Sequence, residues 1–202
     1  MSRYTGPKAR INRRLGAMIF ESAGAAKASD RRPNAPGMAP PVRKMSTYGE
    51  SMREKQKIKY YYGLGERQLR RVFEHSKHAE GDTGTQMLVL CERRLDSVVR
   101  LAGFTKTRPQ ARQGVCHGHF TVNGRHCDVA SMTVRVGDVI HVKRRGGLTD
   151  LYGGNLAAFD GQAADWLHVD SERLMITVTR LPAKEDVTLP VNVQMVVELL
   201  SR

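Results

Sequence analysis

The residues best placed to do chemistry are two arginines one helical turn apart. Arg108 and Arg112 lie in the segment TRPQARQGV, which opens with Thr107. Thr107 and Gln110 form a helix-capping pattern, and Pro109 is tolerated in a first turn because its missing NH has no helical partner. On such a helix both guanidinium groups project from one face and can bind successive phosphates through paired hydrogen bonds. The pattern therefore predicts binding of a polyanion.

A second group of reactive side chains flanks a hairpin a few residues later. It comprises Cys116, His117, His119, His126 and Cys127. The order C-H-x-H and then H-C differs from the paired C-x-x-C or H-x3-H spacing of tetrahedral zinc sites. We therefore expect no metal ion here, and we expect His117 to act as a hydrogen-bond donor to a bound nucleic acid.

Motifs for catalysis are absent from the sequence. There is no G-x-S-x-G, Walker A or H-E-x-x-H pattern, and the glycines at 63, 65, 146 and 147 are not followed by the Lys-Ser/Thr pair of a phosphate loop. We expect a protein that is not an enzyme and has no cofactor and no small-molecule substrate.

Charge points to the class of partner. The 202 residues carry a net charge of +13, and the pI is near 10.1. Lys and Arg number 18 against 7 Asp and Glu in residues 1–80, but 4 against 8 in residues 146–202. The basic part predicts nucleic-acid binding, with a merely solvated cationic face as the alternative. The acidic part is expected to face solvent or a basic protein through Asp150, Asp160, Asp165, Asp170 and Glu172.

Cysteine usage and hydropathy indicate the compartment. Three cysteines without framework spacing argue for a reducing environment. No apolar run approaches the roughly 20 residues of a membrane span, and MSRYTGPKARINRR lacks the apolar segment of a secretory signal. An arginine-rich start also occurs in organellar transit peptides, but we expect a cytoplasmic protein that retains this segment.

Periodicity predicts the elements of the first half. Residues 1–45 are rich in Gly, Pro, Ala and basic residues, which predicts an extension without a core of its own that becomes ordered on its partner. Residues 46–78 predict two helices broken at Gly63 and Gly65. Leu88, Cys91, Leu95, Val98 and Ala102 then fall at helical spacing, which predicts one helix ending at Gly103.

The second half predicts a sheet. Asn123 and Gly124 predict a type I′ hairpin between strands at 120–122 and 125–129. Further strands are predicted at 132–136, 139–143, 166–169 and 174–181, with a loose glycine-rich segment at 146–165 and a short docked helix near the C-terminus.

Four segments in the same order resemble a known family. They are RYTGPKARINRR, STYGESMREKQKIKYYYGLGERQLRR, ERRLDSVVRLAGFTKTRPQARQGVCHGHFTVNGR, and DWLHVD with the closing VVELLSR. Over essentially its whole length the chain resembles the bacterial small-subunit ribosomal proteins numbered four, written S-four here.

The resemblance implies an α+β fold. A mainly helical, discontinuous domain is expected at 46–90 and completed by 186–202, after a basic N-terminal extension at 1–45. An RNA-binding domain is expected at 91–185, with a core at 92–145 of two helices packed on a small, mostly antiparallel sheet.

The family also implies partners. It implies primary binding of 16S ribosomal RNA at a multi-helix junction of the 5′ domain, nucleation of 30S body assembly, contact with protein S-five, and translational accuracy shared with S-five and S-twelve. It implies a place beside messenger RNA at the entry channel, and no obligate homo-oligomer.

Residues that match the family's pattern become candidate contacts. For messenger RNA these are Arg43 and Lys44. For ribosomal RNA they are Arg3, Tyr4, Lys8, Arg13, Arg14, Arg53, Lys55, Lys57, Tyr60, Arg67, Arg70, Arg94, Arg108, Arg112, His117 and Asn123.

The chain departs from the family pattern in two places. Some members hold zinc through four N-terminal cysteines, but residues 1–90 contain none, so the chain resembles the zinc-free form. The usual Gly-Gln-His tract after Pro-Gly is replaced by Gly37, Met38 and Ala39. These changes alter the segment next to the expected entry-channel residues.

Two other classes share a similar module. Pseudouridine synthases carry one before a catalytic domain, and RRLD at 93–96 is similar to their catalytic motif, but we expect it inside a helix and fewer than 60 residues follow Arg145. A small RNA chaperone or heat-shock protein is the other alternative, and it would not need the RYTGPK and REKQK segments. We expect recognition of RNA shape and phosphate position, with little reading of base edges.

Overall fold

Two units make up the fold. The computed structural model describes residues 4–38, 45–159 and 161–201. One unit comprises Met1–Met87 with Leu189–Arg202, and the other comprises Leu88–Thr188. The first is called the helical unit and the second the module. Together their helices and antiparallel sheet confirm the α+β class.

The elements have the following bounds within the described residues. The helices are α1 (Lys8–Leu15), α2 (Ala23–Arg31), α3 (Thr47–Tyr61), α4 (Glu66–Lys77), α5 (Thr83–Glu92), α6 (Leu95–Leu101), α7 (Arg108–Cys116), α8 (Gly146–Ala157) and α9 (Val193–Ser201). The strands are β1 (Phe120–Val122), β2 (Arg125–Cys127), β3 (Val139–Val142), β4 (Leu167–Asp170) and β5 (Met175–Val178). None of the helices in this part of the chain is long and apolar enough to cross a bilayer.

The N-terminal part of the helical unit has a packed interior. Ile11, Leu15 and Phe20 are buried. The side chain of Asn12 fixes the turn after α1, because its Oδ1 accepts hydrogen bonds from the NH groups of Ile19 (3.2 Å) and Phe20 (3.0 Å). One buried asparagine therefore orders the turn between α1 and α2. Phe20 of this segment also packs on Tyr60 of α3, so the prediction that residues 1–45 have no core of their own stays a prediction.

Helices α3 and α4 confirm the predicted break at the glycines. Ser46 caps α3 by accepting a hydrogen bond from the NH of Gly49, and α3 ends where Gly63 adopts φ +61°. Glycine takes that conformation with less strain than other residues because it has no Cβ atom. The C-terminal helix α9 packs on α3 and α4, which confirms the predicted docked helix.

The sheet of the module has the strand order β2-β1-β3-β5-β4, and every neighbouring pair is antiparallel. Asn123 (φ +50°) and Gly124 (φ +77°) form the predicted type I′ turn between β1 and β2. The strand after this turn ends at Cys127, two residues earlier than predicted. A core that includes Phe104, Phe120 and Trp166 packs against the sheet.

The predicted single helix through residues 88–102 is wrong, because it breaks at Arg93 and Arg94. Arg94 is extended (φ −69°, ψ 141°), and the NH groups of Leu95 and Asp96 bond to the carbonyls of Met132 and Ala130. Residues 132–136, predicted as a strand, make only an isolated bridge between Arg94 and Thr133. Carbonyl groups of residues 130–132 thus accept hydrogen bonds from the NH groups at the start of α6, and the segment does not pair with β3.

The prediction that the glycine-rich segment after β3 has no regular structure is also wrong. Residues 146–157 of this segment form α8. Two internal glycines lower the helix propensity by roughly 1 kcal/mol each. Tertiary contacts offset this cost: Tyr152 is buried against Phe104 and Phe120, and Asn155 Nδ2 donates to the carbonyl of Phe104 at 3.1 Å.

Candidate RNA-binding surface

The predicted arginine pair of α7 is directed into the module. Arg112 Nη1 lies 3.1 Å from Asp96 Oδ2, and Arg94 donates two hydrogen bonds to the same carboxylate at 3.0 and 2.7 Å. Arg94, Asp96 and Arg112 are between 5% and 8% exposed. One carboxylate therefore joins the start of α6 to α7 through two guanidinium groups.

Arg108 makes a second internal pair. Its Nη2 lies 3.3 to 3.4 Å from the carboxylate of Glu92, the last residue of α5, which is fully buried. A buried carboxylate needs a cationic partner because its desolvation is otherwise not compensated. Arg108 and Arg112 lie one turn apart, as predicted, but their guanidinium groups hold α5 and α6 in place. Their side chains are about one-tenth exposed, and their contact with RNA stays a prediction.

Asn123, the predicted contact at the hairpin, also has an internal role. Its Nδ2 donates to Asp138 Oδ1 at 2.8 Å, and its Oδ1 accepts from the NH of Val139 at 2.9 Å. The amide therefore joins the β1–β2 turn to the start of β3. Neighbouring Arg125 is exposed.

The helical unit presents its cations differently. Arg14 of α1, Arg53 of α3, and Arg67 and Arg70 of α4 are exposed. Their positions on three helices leave the positive charge at the surface of the unit, where it attracts a polyanion.

Two lysines predicted as RNA contacts, Lys55 and Lys57, are each paired with a carboxylate. Lys55 lies 2.7 Å and Lys59 3.2 Å from the carboxylate of Glu66, while Lys57 lies 2.6 Å from Glu54. Partial burial alone raises the pKa of Glu66, but the hydrogen bonds from Lys55 and Lys59 outweigh it and the pKa is lowered.

Aromatic side chains form a small cluster beside these cations. Tyr60 contacts Tyr4 edge-on with ring centroids 5.4 Å apart, and both contact Phe20. The next two residues, Tyr61 and Tyr62, are buried and serve packing. Tyr4 remains 36% exposed and Tyr60 is half-buried.

The remaining predicted contacts have the following places. Lys8 of α1 is half-buried, and Arg13 donates from Nε to the carbonyl of Asn34 at 2.8 Å. Arg3, Arg43 and Lys44 lie outside the described residues, so their expected contacts with RNA stay predictions.

The module contains a cleft that sequence reasoning did not identify. It has a volume of about 420 Å³ and is called the histidine cleft here; its lining includes His117, Gly118, His119, His126, Lys143 and Arg145. Of these residues, only His117 was predicted to contact RNA. The signal available in the sequence was the basic type of most of these residues, but four separate elements bring them together.

Three histidines line this cleft, and histidine is a common metal ligand. Among the residues that the structure describes, no three His, Cys, Asp or Glu side chains converge as metal ligands. The nearest reactive groups make other contacts: the Cys127 thiol lies 3.4 Å from the sulfur of Met132, and His119 bonds to Tyr152.

Comparison with known proteins identifies the class first. Two family models match in succession: the "Ribosomal protein S4/S9 N-terminal domain" over residues 3–92 and the "S4 domain" over residues 93–140. This order of domains defines a ribosomal protein with an S4-type module. Full-length relatives then identify the family.

Three bacterial relatives carry the name small ribosomal subunit protein uS4. Those of Rhodopirellula baltica, Opitutus terrae and Roseiflexus castenholzii are 57%, 44% and 44% identical to this chain, and each alignment covers 100% of both proteins. The chain belongs to the uS4 family of small ribosomal subunit proteins. The resemblance stated from the sequence motifs is thereby confirmed.

Proposed function

We propose that this protein binds 16S ribosomal RNA as a primary, early-joining component of the small ribosomal subunit. As a uS4 protein it is a structural, RNA-binding constituent of that subunit and not an enzyme. The pseudouridine synthase alternative also lacks support in the site, because Asp96 of the RRLD segment is held between Arg94 and Arg112.

The observation that carries the proposal is the separation of two kinds of cation. Exposed arginines lie on α1, α3 and α4 of the helical unit, while Arg94 before α6 and the two arginines of α7 brace the module from within. Exposed cations release counterions from phosphates, and a braced scaffold loses little entropy on binding. We therefore assign direct phosphate contact to Arg14, Arg53, Arg67 and Arg70, and a positioning role to Arg94, Arg108 and Arg112.

The proposed binding target is a multi-helix junction of the 16S 5′ domain. In folded RNA the phosphate backbone is more accessible to a protein than the base edges are. A rigid cationic surface can match the arrangement of these phosphates. Binding there early would hold the junction in shape and nucleate assembly of the 30S body.

The other expected contacts belong to the same proposal. Arg43 and Lys44 would lie beside messenger RNA at the entry channel. The acidic C-terminal part, which includes Asp165 and Asp170, suits a basic protein partner, and protein S-five is the one proposed. A contribution to translational accuracy with S-five and S-twelve follows from these contacts.

Junction binding is tested with purified protein and a 16S 5′-domain RNA across a salt series, beside a scrambled RNA of equal length. The expected result is junction-selective binding with a steep salt dependence. Equal affinity for both RNAs would contradict the proposal and favour a small RNA chaperone. Cosedimentation with small subunits gives an independent distinction between these two classes.

The role of the exposed arginines is tested by the double variant Arg67→Gln and Arg70→Gln. We expect weaker binding to the junction and a log–log salt slope that falls by roughly one for each phosphate that is no longer neutralised, with unchanged stability. Arg173→Gln is the matched control, because its side chain is 74% exposed in the less basic part of the chain. An unchanged slope in the double variant would exclude α4 from the RNA-binding surface.

A further inference from the structure

The turn between β1 and β2 contains an asparagine that is followed by a glycine. Asn123–Gly124 is the one Asn-Gly pair in the sequence, since the other asparagines precede Arg13, Ala35, Leu156 and Val193. Glycine has no side chain to shield its backbone nitrogen, so this nitrogen approaches the side-chain carbon of a preceding asparagine with little hindrance. The pair is therefore the place in the chain where a reaction between backbone and asparagine side chain is least hindered.

Both residues of the pair are open to water. Asn123 and Gly124 are exposed, and a Cβ atom built on Gly124 would meet no other atom within 4 Å. None of the turn and loop backbone hydrogen bonds among the described residues uses the NH of Gly124. The nitrogen of Gly124 is thus uncrowded, and water can reach the side chain beside it.

The side-chain amide of Asn123 is bound at both ends to the start of β3. Its Nδ2 donates to Asp138 Oδ1 at 2.8 Å, and its Oδ1 accepts from the NH of Val139 at 2.9 Å. Attack by the Gly124 nitrogen on Cγ of Asn123 turns the amide out of this position and finally removes Nδ2, so both bonds are lost. Because a hydrogen bond contributes about 0.5–1.5 kcal/mol, the two bonds raise the barrier to that attack.

The carboxylate that holds the amide is itself fixed by another turn. Asp138 Oδ2 accepts from the NH of Arg135 at 2.7 Å, and the NH of Asp138 donates to the carbonyl of Arg135 at 3.1 Å. The position of this carboxylate therefore does not depend on Asn123. A change at Asn123 would leave the Asp138 carboxylate facing the altered side chain.

We propose that Asn123 is a site of spontaneous deamidation, and that its hydrogen bonds to Asp138 and Val139 keep this reaction slow in the folded module. The Gly124 nitrogen loses its proton to solvent and forms a bond to Cγ of Asn123. The Cγ–Nδ2 bond breaks, and Nδ2 leaves as ammonia with a proton taken from solvent. Water then opens the succinimide ring at either carbonyl, which gives aspartate or isoaspartate.

Either product disrupts the hairpin. A carboxylate at position 123 has no NH to donate and faces the carboxylate of Asp138, so attraction becomes repulsion. Isoaspartate also adds one carbon to the main chain of a two-residue turn that pairs Val122 with Arg125. The modification thus converts a stabilising contact into a destabilising one, and it accumulates in chains whose module has opened.

The first experiment follows deamidation in the full-length protein, kept in neutral buffer, by peptide mass spectrometry. The rate at Asn123 is compared in the folded wild type, in the wild type unfolded by urea and in Asp138→Ala. Loss of one hydrogen bond should make Asp138→Ala react about two- to tenfold faster than the folded wild type, and the unfolded chain should react faster still. Digestion with an endoproteinase that cleaves before aspartate but not before isoaspartate distinguishes the products.

Three controls separate the hydrogen bonds from general effects. Asn192, exposed and followed by a β-branched valine, should react more slowly than Asn123 in the unfolded chain and should not respond to Asp138→Ala. Asp128→Ala removes an exposed carboxylate elsewhere in the module and should keep the wild-type rate. Arg108→Met weakens the module at a different pair, so it tests whether lowered stability alone accelerates the reaction.

Two results would overturn the proposal. Equal rates at Asn123 in folded wild type and folded Asp138→Ala, or equal acceleration in Arg108→Met, would show that the hydrogen bonds do not control the reaction. A rate at Asn123 no higher than at Asn192 in the unfolded chain would show that the Asn-Gly pair is not the preferred site. Fluorescence of Trp166 checks that each variant is folded.

The second experiment tests the effect of the product on the hairpin. Asn123→Asp introduces one product directly and should lower the melting temperature of the module. Adding Asp138→Asn exchanges the two side chains and should recover most of that loss, because an amide at 138 can donate to a carboxylate at 123. An unchanged melting temperature in Asn123→Asp would contradict the proposed disruption. Neither experiment contains RNA, so its outcome is independent of the proposed function.

Discussion

Two arginines of the helical unit, Arg67 and Arg70, and two of the module, Arg94 and Arg112, have the same chemistry and opposite surroundings. Arg67 and Arg70 on α4 are exposed, whereas Arg94 and Arg112 in the module share the carboxylate of Asp96 and are no more than 8% exposed. The difference lies in the acidic partner and not in the arginine. Exposed guanidinium groups remain able to bind an anion, while buried ones hold the elements of the module together.

The largest expected effect comes from removing the shared carboxylate. Asp96→Ala would leave Arg94 and Arg112 buried without this counter-charge, so we expect the free energy of unfolding to fall by about 3–5 kcal/mol. Urea denaturation followed by fluorescence of Trp166, the one tryptophan, reports on the module. Arg173→Ala breaks an exposed pair and should change stability by less than about 0.5 kcal/mol. An equal decrease in the free energy of unfolding in both variants would show that buried and exposed arginine pairs contribute the same stability.

A smaller effect is expected at the second internal pair. Arg108→Met would leave the buried carboxylate of Glu92 without this partner and should cost about 2–3 kcal/mol, less than at Asp96 because the pair is longer. Adding Glu92→Gln should recover most of that loss, as a double-mutant cycle would measure. Single and double variants of equal stability would show that the pair does not brace α5 against α7.

The side-chain amide of Asn123 extends the comparison of internal and exposed side chains to a neutral group. Asn123→Ala removes the bonds to Asp138 and Val139 and places alanine at φ +50°, so we expect a loss of about 1–2 kcal/mol. Arg125→Ala, two residues away and exposed, is the control for thermal unfolding. If both variants unfold at the wild-type temperature, Asn123 is available for RNA instead.

The smallest effect concerns acid stability of the helical unit. Because the pKa of Glu66 is lowered in the folded state, its pair with Lys55 and Lys59 contributes stability above the ordinary value of 4.5. That contribution is lost as the pH falls through the lowered pKa. Unfolding midpoints measured between about pH 5 and about pH 3 should therefore fall less steeply in Glu66→Gln than in the wild type.

The control for acid stability is Glu74→Gln. Glu74 pairs with Lys77 on the surface of α4, with both side chains more than 40% exposed, and screening weakens such a pair. A steeper profile in Glu66→Gln than in the wild type would contradict the assigned direction of the pKa change.

Several parts of the fold followed from local sequence signals. The break between α3 and α4, the hairpin at Asn123 and Gly124, and the C-terminal helix each depend on a capping residue, a positive-φ turn or an apolar stripe within a few positions. The net charge predicted the class of partner, and four ordered motifs indicated the family. These properties are encoded over short distances along the chain, so no knowledge of packing was needed.

Tertiary structure alone decided the rest. The break at Arg94 depends on backbone bonds to residues 130–132, and α8 forms despite its glycines because Tyr152 and Asn155 are buried. Arg112 and its partner Asp96 are 16 positions apart in the chain. The sequence determined that this protein is basic and placed its arginines on helices. Which of them are exposed and which are paired with carboxylates was decided only by folding, because charge pairing depends on distances through space.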